Sequence, residues 1–176
     1  MAAACELKTD STGQLEQLFR DHHAMVLRAA YRVTGCMADA EDVTQAVFLR
    51  LAHTGTWDVA NTDGYLYRAA VNGGLDLLRK RARENPVLLE DDIPGNSIAS
   101  PERQCEAGEL GSWLRQALGR LDPKAAEMFV LRYIEDWDLG EIARAMNTSR
   151  AVVAVLLHRT RTRLRKDFRI NMRGKR

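Results

Sequence analysis

Five polar side chains recur at steps of four, four, three and four: Arg68, Asn72, Asp76, Arg79 and Arg83. On a helix that spacing places them on one face. The face ends in a basic cluster, Arg79-Lys80-Arg81-Ala82-Arg83, and Trp57, Asn61, Tyr65 and Tyr67 precede it. Rings can stack on unpaired bases, amides can read base edges, and Arg and Lys bind phosphates, so the set suits a single strand of nucleic acid. The plainer account makes the three rings core anchors.

A second set lies on Asp39-Ala-Glu-Asp-Val-Thr-Gln-Ala-Val-Phe-Leu-Arg-Leu51. Asp42, Gln45 and Leu49 follow one helical stripe there. A carboxylate, an amide and an apolar group exposed together suit a protein interface, although acids near a helix start also complement its dipole.

The third set begins with Leu139–Met146, continues through Asn147-Thr148-Ser149 and runs along Arg150–Arg165. It reads as helix, tight turn, longer helix. Val153, Leu157, Thr160 and Leu164 keep to an inward face, while Ala151, Val152, Ala154, Val155, His158, Arg159 and Thr162 point elsewhere. In a helix-turn-helix the second helix enters the major groove by its first residues. Arg159, Arg161, Arg163, Arg165, Lys166 and Arg169 follow, and beside phosphates they would bind by releasing counterions. A plain helical hairpin with a solvated cationic face fits the same pattern.

The elements that must position these sets are all helical. Leu15, Leu18, Phe19, Val26, Ala29, Ala30 and Val33 follow the i, i+3, i+4 pattern, as do Ala126, Phe129, Val130, Tyr133 and Ile134. No stretch alternates with period two, so the fold class is all-α. Asp63, Asp122 before Pro123, Asp138 with Glu141 three residues on, and Ser149 all read as helix starts. Residues 84–108 hold Pro86, Pro94, Pro101, Gly95 and Gly108 and read as a linker without a sustained helix. The expected organisation is a small helical domain at 12–83, an acidic linker at 84–108, a second small helical domain at 109–170 and a basic tail at 171–176.

Across the 176 residues Lys+Arg is 26 and Asp+Glu is 24, a net charge of +2. That sum hides a polarity along the chain. Residues 84–110 carry seven acids (Glu84, Glu90, Asp91, Asp92, Glu102, Glu106, Glu109) against Arg103, and residues 150–176 carry ten Arg or Lys against Asp167. An anionic partner is therefore expected for one segment, not for the whole surface. No apolar run of about 18 residues and no signal-peptide pattern occurs, so no membrane insertion and a cytoplasmic place are expected. Cys5, Cys36 and Cys105 form neither a disulfide framework nor a metal knuckle. His22 and His23 are adjacent and share no face, His53 and His158 have no evident partners in sequence, and no phosphate loop or HExxH is present. The expectations are no enzyme, no catalytic residue, no metal and no cofactor, with His22 a satisfied core-facing histidine.

Taken together, these residues resemble a bacterial RNA polymerase sigma factor of the extracytoplasmic-function (ECF) type, over about residues 15–169. Asp39–Leu51 is similar to that family's polymerase-binding signature, and Gly64–Arg81 to its promoter-melting helix, both in region 2. Leu121-Asp-Pro123, Phe129-Val-Leu-Arg132-Tyr, Glu141-Ile-Ala143 and Leu157–Arg165 resemble its region 4. The resemblance implies transcription initiation with core RNA polymerase, through the β′ clamp helices and the β flap, on promoter DNA. Asp39, Asp42, Gln45, Phe48, Leu49 and Arg50 would meet polymerase. Trp57, Asn61, Tyr65, Arg68, Asn72, Asp76, Arg79, Lys80 and Arg83 would hold the single-stranded −10 element. Ser149, Arg150, Val152, Ala154, Val155, His158, Arg159 and Arg161 would meet the −35 duplex. It also implies an anti-sigma factor that covers these surfaces, and a linker in the RNA-exit path where Asp91 and Asp92 imitate an RNA backbone.

One departure stands out. Ala151-Val-Val-Ala-Val-Leu-Leu157 is apolar throughout, where the family commonly has polar or basic residues. Apolar groups can touch a thymine methyl but cannot pair with guanine or adenine edges. Either −35 readout rests on Arg150, His158, Arg159 and phosphate contacts, or Val152, Val155 and Leu156 form a strip that binds protein. The rival readings are a plain helix-turn-helix regulator and a sigma-like decoy that binds polymerase or an anti-sigma factor without reading promoters.

Overall fold

In the computed structural model of the chain, helical periodicity becomes seven helices among the described residues: α1 (Ala3–Thr34), α2 (Met37–Thr54), α3 (Thr62–Glu84), α4 (Pro101–Gly119), α5 (Pro123–Tyr133), α6 (Leu139–Ala145) and α7 (Arg150–Gly174). The structure describes the backbone of residues 3–54, 62–84 and 101–174, and the side chains of residues 13–54, 62–84 and 108–170. No strand occurs among them. The chain divides into two compact units, Met1–Leu77 and Leu78–Arg176, with the division falling inside α3.

In the first unit, Val26, Ala29, Ala30 and Val33 of α1 pack with Ala40, Val43, Val47, Phe48 and Leu51 of α2 and with Leu66, Ala70, Val71 and Leu75 of α3, all buried. Burying one such aliphatic side chain contributes about 1.5–3 kcal/mol, so this face sets the rotation of each helix. Gly35 ends α1 in the left-handed region at φ 69°, and its N–H donates to the Tyr31 carbonyl at 2.7 Å. The chain reverses there and α2 starts at Met37. Gly73 and Gly74 allow α3 to approach closely. A Cβ on Gly73 would stand 2.8 Å from Val43 Cγ1, and one on Gly74 2.9 Å from Val33 Cγ1. Asp63, expected to cap α3, lies inside its first turn. Its carboxylate accepts from His22 Nδ1 of α1 at 2.9 Å. His22 is thus a satisfied, largely buried histidine, as its place on α1 suggested.

In the second unit, α7 packs on both α5 and α6. Val130, Leu131, Ile142, Ala143, Val153, Leu157 and Leu164 form its interior. Phe168 meets Trp113 of α4 edge to face, with centroids 5.0 Å apart. The caps follow the sequence closely. Asp122 accepts from the N–H groups of Lys124 and Ala125 ahead of Pro123. Asp138 and Glu141 form a reciprocal capping box: Asp138 Oδ1 accepts the Glu141 N–H at 2.8 Å, and Glu141 Oε2 accepts the Asp138 N–H at 2.7 Å. Ser149 Oγ accepts the Val152 N–H at 3.3 Å.

Two element ends differ from expectation. Helix α4 begins at Pro101, so 101–108 is helical where the sequence suggested linker. Proline costs nothing at a first helical position, because its missing N–H would have no partner there, and Glu102–Ala107 contains no breaker. Helix α7 continues to Gly174 and not only to about Phe168. Residues 85–100, including Asp91 and Asp92, and residues 175–176 of the basic tail lie outside the described residues.

Candidate nucleic-acid interface

The outward face of α2 follows from its buried one. Val43, Val47 and Leu51 point inward, and Asp42, Gln45, Leu49 and Arg50 are exposed. Leu49 is 54% exposed, a large apolar side chain beside a carboxylate and an amide. Two residues grouped with them by sequence sit elsewhere. Phe48 is buried, with its ring edge-on to Phe19 at 4.9 Å, and Asp39 is buried at the helix start. Of the residues expected to meet polymerase, Asp42, Gln45, Leu49 and Arg50 are exposed, and Phe48 lies beneath them in the core.

On α3 the burial of Leu66, Ala70, Val71, Gly74, Leu75 and Leu78 turns the polar stripe outward. Asp76, Lys80 and Arg83 are exposed, Arg68 and Asn72 are half-buried at its edge, and Arg79 is half-buried with its Nε and Nη2 turned away from solvent. Half-burial restricts those three side chains, and restricted groups lose less entropy when they bind. Tyr65 is 50% exposed at the start of the stripe, whereas Tyr67 packs against the core cluster. Tyr65 is therefore the described ring free to stack. Trp57 and Asn61 lie outside the described residues.

In the helix-turn-helix the turn is shaped without glycine. Asn147 takes the left-handed conformation at φ 50°. The Thr148 N–H returns to the Ala143 carbonyl at 2.9 Å and the Asn147 N–H to Arg144 at 3.3 Å. This pattern closes a helix end, and Asn tolerates the conformation better than other non-glycine residues. A second brace holds α5 to the turn before α6, where Arg132 Nη1 donates to the Trp137 carbonyl at 2.9 Å. Sequence reading quoted this arginine only within the region 4 resemblance and gave it no role, because its partner is a backbone atom.

The exposed residues of α7 are the expected ones: Ala151, Val152, Ala154, Val155, His158, Arg159 and Arg161, with Ser149 just ahead. Arg150 takes a more particular place. Its Nη2 and Nε lie 3.2 and 3.3 Å from where a Gly140 Cβ would stand, so the guanidinium rests in the notch that Gly140 leaves beside Asp138. Backbone N–H donation, first from Glu141, holds the Asp138 carboxyl below its ordinary value, and the nearby charges of Arg150 and Arg144 add to this. Gly140 was not singled out by sequence. The only signal was a glycine directly inside a capping box. Beyond these residues, Arg159, Arg161, Arg163, Arg165, Lys166 and Arg169 are all exposed, so the second half of α7 is a cationic rod. Among the described residues no cluster of His, Cys, Asp or Glu could hold a metal, and no helix is long and apolar enough to cross a membrane.

Comparison with known proteins identifies the two regions of the chain. Residues 18–84 match Sigma-70 region 2, and residues 112–164 match Sigma-70, region 4. The ECF RNA polymerase sigma factor SigE of Mycolicibacterium smegmatis is 32% identical over 154 residues, which is 85% of this chain and 60% of that protein. The RNA polymerase sigma-E factor of Streptomyces avermitilis is 30% identical over 159 residues, covering 88% of this chain and 85% of that one. This chain belongs to the ECF sigma factors. Among solved structures, the sigma factor RpoE of Bartonella quintana, crystallised with the anti-sigma factor NepR, is similar with a TM-score of 0.54 and 18% identity, over 89% of this chain and 98% of that one. At that identity the likeness shows the fold alone. In this ECF sigma factor, the α2 and α3 faces fall within the region 2 match. The helix-turn-helix of α6 and α7 falls within the region 4 match as far as Leu164.

Proposed function

We propose that this ECF sigma factor docks on core RNA polymerase through Asp42, Gln45, Leu49 and Arg50 of α2. It holds the single-stranded −10 element on Tyr65, Arg68, Asn72, Asp76, Arg79, Lys80 and Arg83 of α3. Trp57 and Asn61 join that set on the strength of the family resemblance. Helix α7 enters the −35 duplex by its first residues, with Ser149, Val152, Ala154, Val155, His158, Arg159 and Arg161 nearest the groove and the later cations against phosphates. An anti-sigma factor covers these faces when the protein is held inactive; the Bartonella RpoE was crystallised in complex with the anti-sigma factor NepR. The domain roles follow: region 2 over about 12–83, region 4 over about 109–170, and the intervening segment as their connection.

The observation that carries this reading is the outward set on α2. A leucine 54% exposed, between a carboxylate and an arginine on an otherwise well-packed helix, is the composition of an interface centre with a polar rim. The test is in vitro transcription with purified chain and bacterial core polymerase on a genomic promoter library, sequencing RNA 5′ ends. Starts sharing two motifs at fixed spacing are expected. Leu49→Asp should abolish core binding and every start. Asn72→Ala should keep core binding and lose the starts. Specific core binding with no shared motifs would leave a decoy in place of an initiator, and no core binding would leave a plain DNA regulator.

A further inference from the structure

Between the guanidinium of Arg150 and the ring of His158, the face of α7 that leaves the core carries only alkyl groups. Ala151, Val152, Ala154 and Val155 are all exposed, Val152 at 46% and Val155 at 49%. Single exposed valines are ordinary on a protein surface. Four alkyl positions together on the end of a helix that would enter a groove are not random scatter, because Val153 and Leu157 already satisfy the core from the opposite side.

The polar groups lie at the two ends of this strip. Arg150 rests in the Gly140 notch beside Asp138. The Ser149 hydroxyl accepts the Val152 N–H. His158, Arg159 and Arg161 lie a turn or more further along, where the cationic rod begins. No side chain from Ala151 to Leu157 can donate to or accept from a base edge. The major groove offers such a face one apolar feature that varies with sequence: the C5-methyl of thymine. Alanine and valine are also short, so the helix backbone can come close to the bases. The surrounding charge favours the same ligand. An apolar centre flanked on α7 by six cations fits a duplex, whose phosphates run along both sides of the groove.

We propose that Ala151, Val152, Ala154 and Val155 read thymine C5-methyl groups, so that the upstream promoter element is chosen by methyl contact and not by hydrogen bonds to base edges. This inference rests on the placement of α7 in the upstream duplex proposed above. Specificity at these positions then comes from desolvating methyls, and affinity comes from the later arginines and lysine.

The experiment separates the inference from that placement. Holoenzyme reconstituted from the full chain and bacterial core polymerase selects duplexes from a library randomised over an upstream and a downstream block. The enriched duplex is then remade with uracil in place of each upstream thymine, which removes the methyl and keeps the pairing. Enrichment of thymine in the upstream block is expected, together with roughly fourfold weaker binding for each methyl removed, the factor that follows from burying one CH₂-sized group. The double variant Val152→Ser/Val155→Ser should bind the thymine and uracil duplexes alike, which excludes an effect of uracil on the duplex itself. Equal binding of the two duplexes by the parent holoenzyme, with the upstream block enriched, overturns methyl reading and leaves the strip to a protein partner. Enrichment of the downstream block alone overturns the placement of α7, and the inference with it.

Discussion

Gly74→Ala tests how closely the −10 helix is held to its support. A Cβ at residue 74 would stand 2.9 Å from Val33 Cγ1 and 3.0 Å from Val33 Cβ. Val33 is buried, and a β-branched side chain in a helix has essentially one rotamer, so it cannot turn aside. Either α1 or α3 must shift. Overpacking of this kind costs about 1–3 kcal/mol. The better helix propensity of alanine returns about 1 kcal/mol. The net loss is about 0–2 kcal/mol, which for a unit of this size lowers the melting temperature by up to roughly 15 °C. Gly111→Ala provides the opposite sign in the same protein. Its Cβ would stand nearest Arg115 Nη1, at 3.3 Å, and the end of a flexible arginine can move away. That variant should gain about 0.5–1 kcal/mol from propensity alone. Thermal melts followed by far-UV circular dichroism measure both. Because α3 carries Asn72, the Gly74 variant should also hold the −10 strand less tightly at temperatures where it is still folded. A Gly74→Ala protein that gains as much stability as Gly111→Ala would refute the claim that this glycine sets the spacing of α1 and α3.

Adjacent residues on α2 should separate core from surface. Phe48→Ala, which removes a buried ring edge-on to Phe19, should cost about 3–5 kcal/mol in urea denaturation. Leu49→Ala should stay within about 0.5 kcal/mol of the parent while weakening polymerase binding. The capping box gives a pH prediction. The Asp138 pKa is lowered from 3.8 in the folded chain, so its stabilising contribution is present above pH 3.8 and is lost as pH falls through the folded value. Asp138→Asn keeps a side-chain acceptor without the charge and should flatten that acid limb in melts recorded from pH 6 down to about 2.5. An acid limb unchanged by the substitution would show that the carboxylate does not serve α6 as the geometry indicates.

Much of this protein was legible in its sequence because its helices are amphipathic and its caps are local. The inward face of α7, namely Val153, Leu157, Thr160 and Leu164, could be read from a period of 3.6, since burial of one stripe is the only arrangement that removes those groups from water. The Asp122 and Asp138 caps could be read because a short polar side chain bonds a backbone N–H two or three residues away, and nothing distant intervenes. The outward set Asp42, Gln45 and Leu49 followed by subtraction.

What the sequence left undecided depends on contacts between helices far apart in the chain. Phe48 and Leu49 are neighbours, and type alone did not say which would face Phe19 and which would face solvent. Gly73 and Gly74 carried no role in the sequence, whereas in the fold a Cβ on either would stand 2.8 or 2.9 Å from Val43 or Val33. The place of the Arg150 guanidinium beside Gly140 could not be read from the sequence. Tyr65 and Tyr67, equal in sequence, were parted by which side of α3 the core required. Sequence determined the elements, their ends and their apolar faces, because those are set by interactions within a few residues. Tertiary structure decided which side chains remain on the surface, because that depends on where distant helices meet.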